Sequence, residues 1–150
     1  MIRTDAEYRR ALDQLRERAE TIRAQRGHLA GLDLSPDEVN RAMAPMVSFQ
    51  AQLEEEVDTY TRMRRGDLGP LRSLTAIGRW LVGARIARGL TQQELAERLG
   101  VDLSQVSRDE RNDYRGITVD RAQRVMDALG VQFMAQAESL LVADDEAEFV

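Results

Sequence analysis

Apolar residues recur at alternating steps of four and three from Tyr8 through Leu12, Leu15 and Ala19 to Ile22. That spacing predicts an amphipathic helix with the seam of a coiled coil. Thr4 and Glu7 supply a capping box at its start, so the helix is expected to run from Thr4 to about Gln25. Gly27 and Gly31 are expected to break it and leave His28 in a loop. A second start follows at Ser35-Pro36-Asp37-Glu38: a cap, a proline at the first helical position and acids in the first turn. Val39, Met43, Met46, Phe49, Leu53, Val57 and Tyr60 then continue an apolar stripe to about Arg65. Pro45 lies within that stripe and is expected to kink the helix, because its ring removes a donor and crowds the preceding turn. Two stripes joined by a glycine-containing loop predict an antiparallel helical hairpin, or coiled coil, over residues 1–65.

Gly66-Asp67-Leu68-Gly69-Pro70 reads as a linker, and residues 66–72 divide the hairpin from a second unit at 73–130. Its first helix is predicted from Ser73 to Arg88, with Ile77, Leu81 and Ala84 inward. Trp80, at the edge of that stripe, either docks the hairpin or caps the unit's own core. Next comes GLTQQELAERLGVDLSQVSRDE, residues 89–110. Thr91 and Glu94 form a capping box, Leu95 and Leu99 share one face, and Ala96 admits a crossing helix. Gly100 stops the helix by taking a left-handed turn. Asp102 caps another helix, in which Val106 points inward and Leu103, Ser104, Ser107 and Arg108 point outward. Thr118 caps a last helix, Val119 to Leu129, with Ala122, Val125, Met126 and Leu129 inward and Gly130 at its end. Residues 131–142 fit a strand or a short helix; strand, paired across a dimer, is the preferred reading. Residues 143–150 read as a disordered acidic tail.

Two short helices around a glycine turn, the second exposing small polar and cationic side chains, suit insertion into the DNA major groove. Residues 76–131 resemble the helix-turn-helix domain of the XRE family, the class of the lambda repressor and Cro. The resemblance is carried by Ile77, Arg85, Ile86, Gly89, Leu90, Gln92, Glu94, Leu95, Ala96, Gly100, Val106, Glu110 and the closing Ala128-Leu129-Gly130-Val131. It covers a little over a third of the chain. The expected fold is therefore all-α: a helical hairpin, then a lambda-repressor-like helix-turn-helix domain, with a short C-terminal strand in the extension 131–150.

Base reading is expected from Asp102, Leu103, Ser104, Ser107 and Arg108. Arg108 is placed for bidentate pairing with guanine, and Leu103 for contact with a thymine methyl. The resemblance implies a phosphate contact at Gln92, and Thr91, at the N-terminus of the same helix, is expected on phosphate with it. Arg111, Asn112 and Arg115 follow the recognition helix and are expected on the flanking backbone. The resemblance further implies that Arg85 pairs with Glu110 as a structural clamp. Asp109 departs from the family, which has a large apolar residue there. Either the helix sits shallower on its core, or Asp109 meets an arginine such as Arg111 or Arg79. The loop after Glu110 also departs, being slightly longer and without the family's early glycine.

Charge supports this division of labour. The chain carries a net −5, but residues 71–130 hold 10 Arg against 8 acids, a balance of +2. Residues 131–150 hold no Arg and 5 acids, so the negative charge is concentrated behind the reader. With no cysteine, disulfides and thiolate metal sites are excluded. No apolar run approaches the ~18 residues of a membrane span, and a soluble, cytoplasmic protein is expected. One histidine, no P-loop and no dinucleotide fingerprint argue against an enzyme, and no cofactor or metal is expected. Glu54-Glu55-Glu56 reads as a solvated helix face. The expected function is a DNA-binding transcriptional repressor, acting as a homodimer on double-stranded DNA. The competing expectation is an antitoxin that neutralises a protein partner through the N-terminal helices and represses its own gene.

Overall fold

A computed structural model describes residues 1–136, which form six α-helices and, among the described residues, no strand. α1 spans Asp5–Ala30 and α2 spans Pro36–Arg64. Both capping boxes form: the Thr4 and Ser35 side chains accept from the amides of Glu7 and Glu38, whose carboxylates return to the cap amides. The two helices pack antiparallel as the hairpin. Near its base the Tyr8 and Tyr60 rings stack with centroids 5.0 Å apart, and the Tyr60 hydroxyl donates to Asp5 at 2.8 Å. Burial, the Asp5 bond and the Asp5 charge push the Tyr60 hydroxyl up to about 12.

Two local expectations, at Gly27 and Phe49, need correction. α1 does not break at Gly27 but continues to Ala30, so His28 lies on its last turn and is exposed. One interior glycine costs a helix only about 1 kcal/mol, and half-buried Leu29 rewards continuing. α2 runs through Pro45 to Arg64, close to the expected end at Arg65. Phe49 does not join the packed stripe: it is 61% exposed, while Met43 and Tyr60 are buried.

After Arg65 the chain crosses 66–73 without regular structure. The helix expected from Ser73 begins instead as a single 3-10 turn, Leu74–Ala76, and becomes α3 at Ile77–Ala87. α4 (Gln92–Leu99) and α5 (Leu103–Arg111) follow, then α6 (Val119–Ala128). Gly100 takes φ 66°, the left-handed conformation that lets α4 stop and α5 start at once. Ala122, Val125, Met126 and Leu129 are buried under α6, as their spacing predicts. Residues 131–136 are irregular rather than a strand; 137–142 and the acidic segment 143–150 lie outside the described residues.

The hairpin base and the last four helices share one core. Ile2, Ala11 and Tyr60 are buried in the same cluster as Leu81, Val82, Leu95, Val106 and Val125, with Val57, Met63 and Leu68 packed on its edge. Trp80 faces the hairpin side. Its indole donates to the Gly69 carbonyl at 3.3 Å, and with Met63 and Leu68 it lines a groove of about 360 Å³.

Candidate nucleic-acid interface

α5 is a nine-residue helix whose inner face is Val106 and Glu110, both buried, and whose outer face holds Leu103, Ser104 and Arg108. Leu103 is 43% exposed, Ser104 and Arg108 are exposed, and Ser107 is half-buried between the two faces. Asp102 has the extended backbone of an N-cap, but its side chain makes no cap bond, so its carboxylate stays at the exposed start of the helix. The N-terminal half does not cover this surface.

Thr91 and Gln92 open α4. Thr91 is exposed, and its hydroxyl and amide are both engaged with the Glu94 carboxylate. Bonds from the Thr91 amide and hydroxyl hold that carboxyl below the usual carboxylate range. Gln92 is half-buried and donates to Glu110 Oε2 at 2.8 Å, so part of its amide serves α5. Arg111 is exposed as the last residue of α5 rather than following it, and Asn112 and Arg115 are exposed in the turn after it.

Three clamps hold α5. The first is the Arg85 guanidinium, whose Nε and Nη2 bond both oxygens of Glu110, the second at 2.7 Å. Arg85 also donates to the Leu90 carbonyl at 2.7 Å, tying α3 to the start of α4. The second is Arg121 on α6, which bonds Asp109. With its oxygen turned toward that guanidinium, the Gln105 amide also accepts from Arg121, at 3.0 and 2.8 Å. Asp109 therefore meets neither Arg111 nor Arg79; a half-buried arginine on α6 compensates it, and Arg79 pairs with Asp113 at 3.0 Å. The third is Arg3, which reaches the Arg111 carbonyl at 3.4 Å and Asp113 at 3.0 Å.

The turn after α5 has no early glycine, yet Asp113 and Tyr114 adopt φ 51° and 50°. Such values cost a non-glycine residue unless its surroundings hold it. Here Tyr114 is buried, and Arg3 and Arg79 grip Asp113. Burial alone would raise the Asp113 carboxyl, but the bonds from Arg79 and Arg3 outweigh it and hold it low. Burial, with the nearby charges of Glu110 and Asp109, pushes the Tyr114 hydroxyl well up.

Sequence reasoning missed Arg121, Gln105, Arg3 and Tyr114. Arg121 did carry a signal: it sits one turn before Val125, at the border of the buried stripe of α6. Arg3 carried none, because its partners lie more than a hundred residues away. Among the described residues no group of three or more His, Cys, Asp or Glu is placed to hold a metal.

A helix supported on its inner side, with a polar, arginine-bearing face turned outward beside a second helix N-terminus, has the arrangement of a helix-turn-helix. Residues 83–134 match the family model described as helix-turn-helix, and this part of the chain is a helix-turn-helix domain of the XRE type. No curated protein and no solved structure matches the chain. The domain makes the protein a DNA-binding transcriptional regulator. No described helix is long and apolar enough to cross a membrane.

Proposed function

We propose that the protein is a sequence-specific repressor that binds a two-fold-symmetric operator as a homodimer. The observation that carries this reading is the uncovered outer face of α5, with Leu103, Ser104 and Arg108 open to a partner. Base edges are read by Asp102, Leu103, Ser104, Ser107 and Arg108. Gln92, Arg111, Asn112 and Arg115 take the phosphates, which fix register without carrying sequence; Thr91, expected beside them, has both its donors on Glu94. Two copies would place their α5 helices in successive major grooves, roughly 34 Å apart. Selection of bound duplexes from a random pool, repeated across salt concentrations, tests this. A preferred palindrome and a steep negative salt slope are expected, and indifference to every duplex would overturn it. Light scattering at micromolar concentration tests the dimer, and a monomeric mass would remove it.

A second reading is supported by exposed apolar residues of the hairpin. Leu32 and Leu34 are exposed in the loop at the tip, and Val47 and Phe49 are exposed near the middle of α2, all away from the base that packs on α3. Such residues suit a protein partner, as in an antitoxin that neutralises a toxin and represses its own gene. A small adjacent reading frame that cannot be cloned without this gene would favour it.

A further inference from the structure

The residues that precede α1 are built into the reader. Ile2 is buried in the common core, and the Arg3 carbonyl accepts from Arg85 Nη2 at 2.9 Å, beside the Glu110 clamp. The Arg3 amide donates to Glu7 at 2.7 Å, which ties the same residue to the first turn of α1. Its side chain, 17% exposed, turns away from the hairpin. There Nη2 donates to the Arg111 carbonyl, an otherwise orphan acceptor in the last turn of α5, and to Asp113. A cation at that position also complements the negative end of the α5 dipole. Asp113 is gripped from its other side by Arg79 of α3, so the end of α5 is anchored to both the hairpin and the reader.

We propose that Arg3 is a positioning residue for DNA reading: its bonds to the Arg111 carbonyl and Asp113 let the N-terminal hairpin set the pose of α5. The proposal rests on the DNA-binding reading of α5. A nine-residue helix is about 13 Å long, so a ~1 Å shift at its end tilts it by roughly 4°. Arg108 and Arg111 ride on that last turn, and a recognition contact tolerates displacement of only ~0.5 Å. The hairpin is then part of the reader, and a ligand that moves its base changes DNA affinity without touching α5.

The test uses the full chain and the best duplex from the selection. Arg3→Ala is expected to weaken binding about tenfold while leaving the slope of log affinity against log salt unchanged. Arg3→Lys is expected to recover part of the loss, since an ammonium can still pair with Asp113. In a cycle of Arg3→Ala with Asp113→Asn, the double variant is expected to lose less than the two single losses multiplied. Arg16→Ala, on the exposed face of α1, serves as a control that leaves affinity unchanged. A slope reduced by about one would make Arg3 a phosphate contact and overturn the proposal. An affinity within twofold of wild type would overturn it as well.

Amide hydrogen exchange separates this proposal from the reading beneath it. If the wild-type chain ignores all DNA, the repressor reading fails, and exchange alone then judges whether Arg3 holds the end of α5. Arg3→Ala should speed exchange at Asn112, Asp113 and Tyr114, with α4 unchanged. Equal rates in variant and wild type would overturn the role of Arg3 in holding α5.

Discussion

The Arg85 guanidinium and the Glu110 carboxylate lie against each other with neither open to water, Arg85 at 3% and Glu110 at 0% exposure. Gln92 adds a bond to the same carboxylate, and Arg85 gives two further donors to the Leu90 and Arg3 carbonyls. Removing one partner leaves a buried charge uncompensated, which costs about 3–5 kcal/mol. Glu110→Ala and Arg85→Ala are each expected to lose that much in urea unfolding. Arg85→Met with Glu110→Leu should lose less than either, since no charge is stranded. A double variant less stable than both single ones would show that the bonds to Leu90 and Arg3 outweigh the stranded charge.

Arg108 and Arg111 stand three residues apart on α5 and should behave differently on DNA. Arg108→Ala should cost about 1–3 kcal/mol of discrimination at one base pair and relax preference there. Arg111→Ala should weaken binding to all sequences alike and reduce the salt slope by about one. Affinities across a library of operator variants at two salt concentrations distinguish them. An unchanged preference in Arg108→Ala would remove it from base reading.

What could be read along the chain was local. The capping boxes at Thr4, Ser35 and Thr91 each join residues three apart, and each forms. Gly100 and the stripe of α6 are equally local, since one turn of helix decides them. The supports of α5 are not. Asp109 meets Arg121 twelve residues on, and Asp113 meets Arg79 from 34 residues back and Arg3 from 110. Any of the chain's arginines satisfies such a carboxylate in a sequence; only the packing of α3, α5 and α6 selects among them. Tyr114 was hidden for the same reason, because a tyrosine in a polar loop becomes core only when that loop folds back on α3.

Acid should loosen the Asp113 hub in a defined direction. Its folded carboxyl is held low, so its contribution is present above the unfolded value near 3.9 and is lost as pH falls through the lower folded value. Asp113→Asn should therefore melt below wild type at about pH 6, with the gap closing as the pH drops below about 4. Thermal melts of both proteins across that range check it. A gap that stays constant with pH would mean that the Asp113 charge is not what holds the turn.

Two glycines sit on helices and should answer the same substitution with opposite signs. Gly27 lies within α1, and an added Cβ would meet nothing within 4 Å. Gly27→Ala removes only the entropic cost of a helical glycine, so a gain of about 0.5–1 kcal/mol is expected. Gly78 lies in the first turn of α3, where a Cβ would fall 1.7 Å from the Asp113 carbonyl oxygen and 2.6 Å from its carbon. Those are backbone atoms of a turn already at positive φ, so no side-chain rotation relieves the clash. Overpacking typically costs about 1–3 kcal/mol, and Gly78→Ala should reach or exceed the upper figure. At about 2–4 °C per kcal/mol for a chain this long, Gly27→Ala should raise Tm slightly and Gly78→Ala lower it by many degrees. Because the same clash displaces Asp113 from Arg3 and Arg79, Gly78→Ala should also weaken DNA binding where the protein is still folded. A Gly78→Ala protein with wild-type Tm and affinity would show that the turn does not lie against α3.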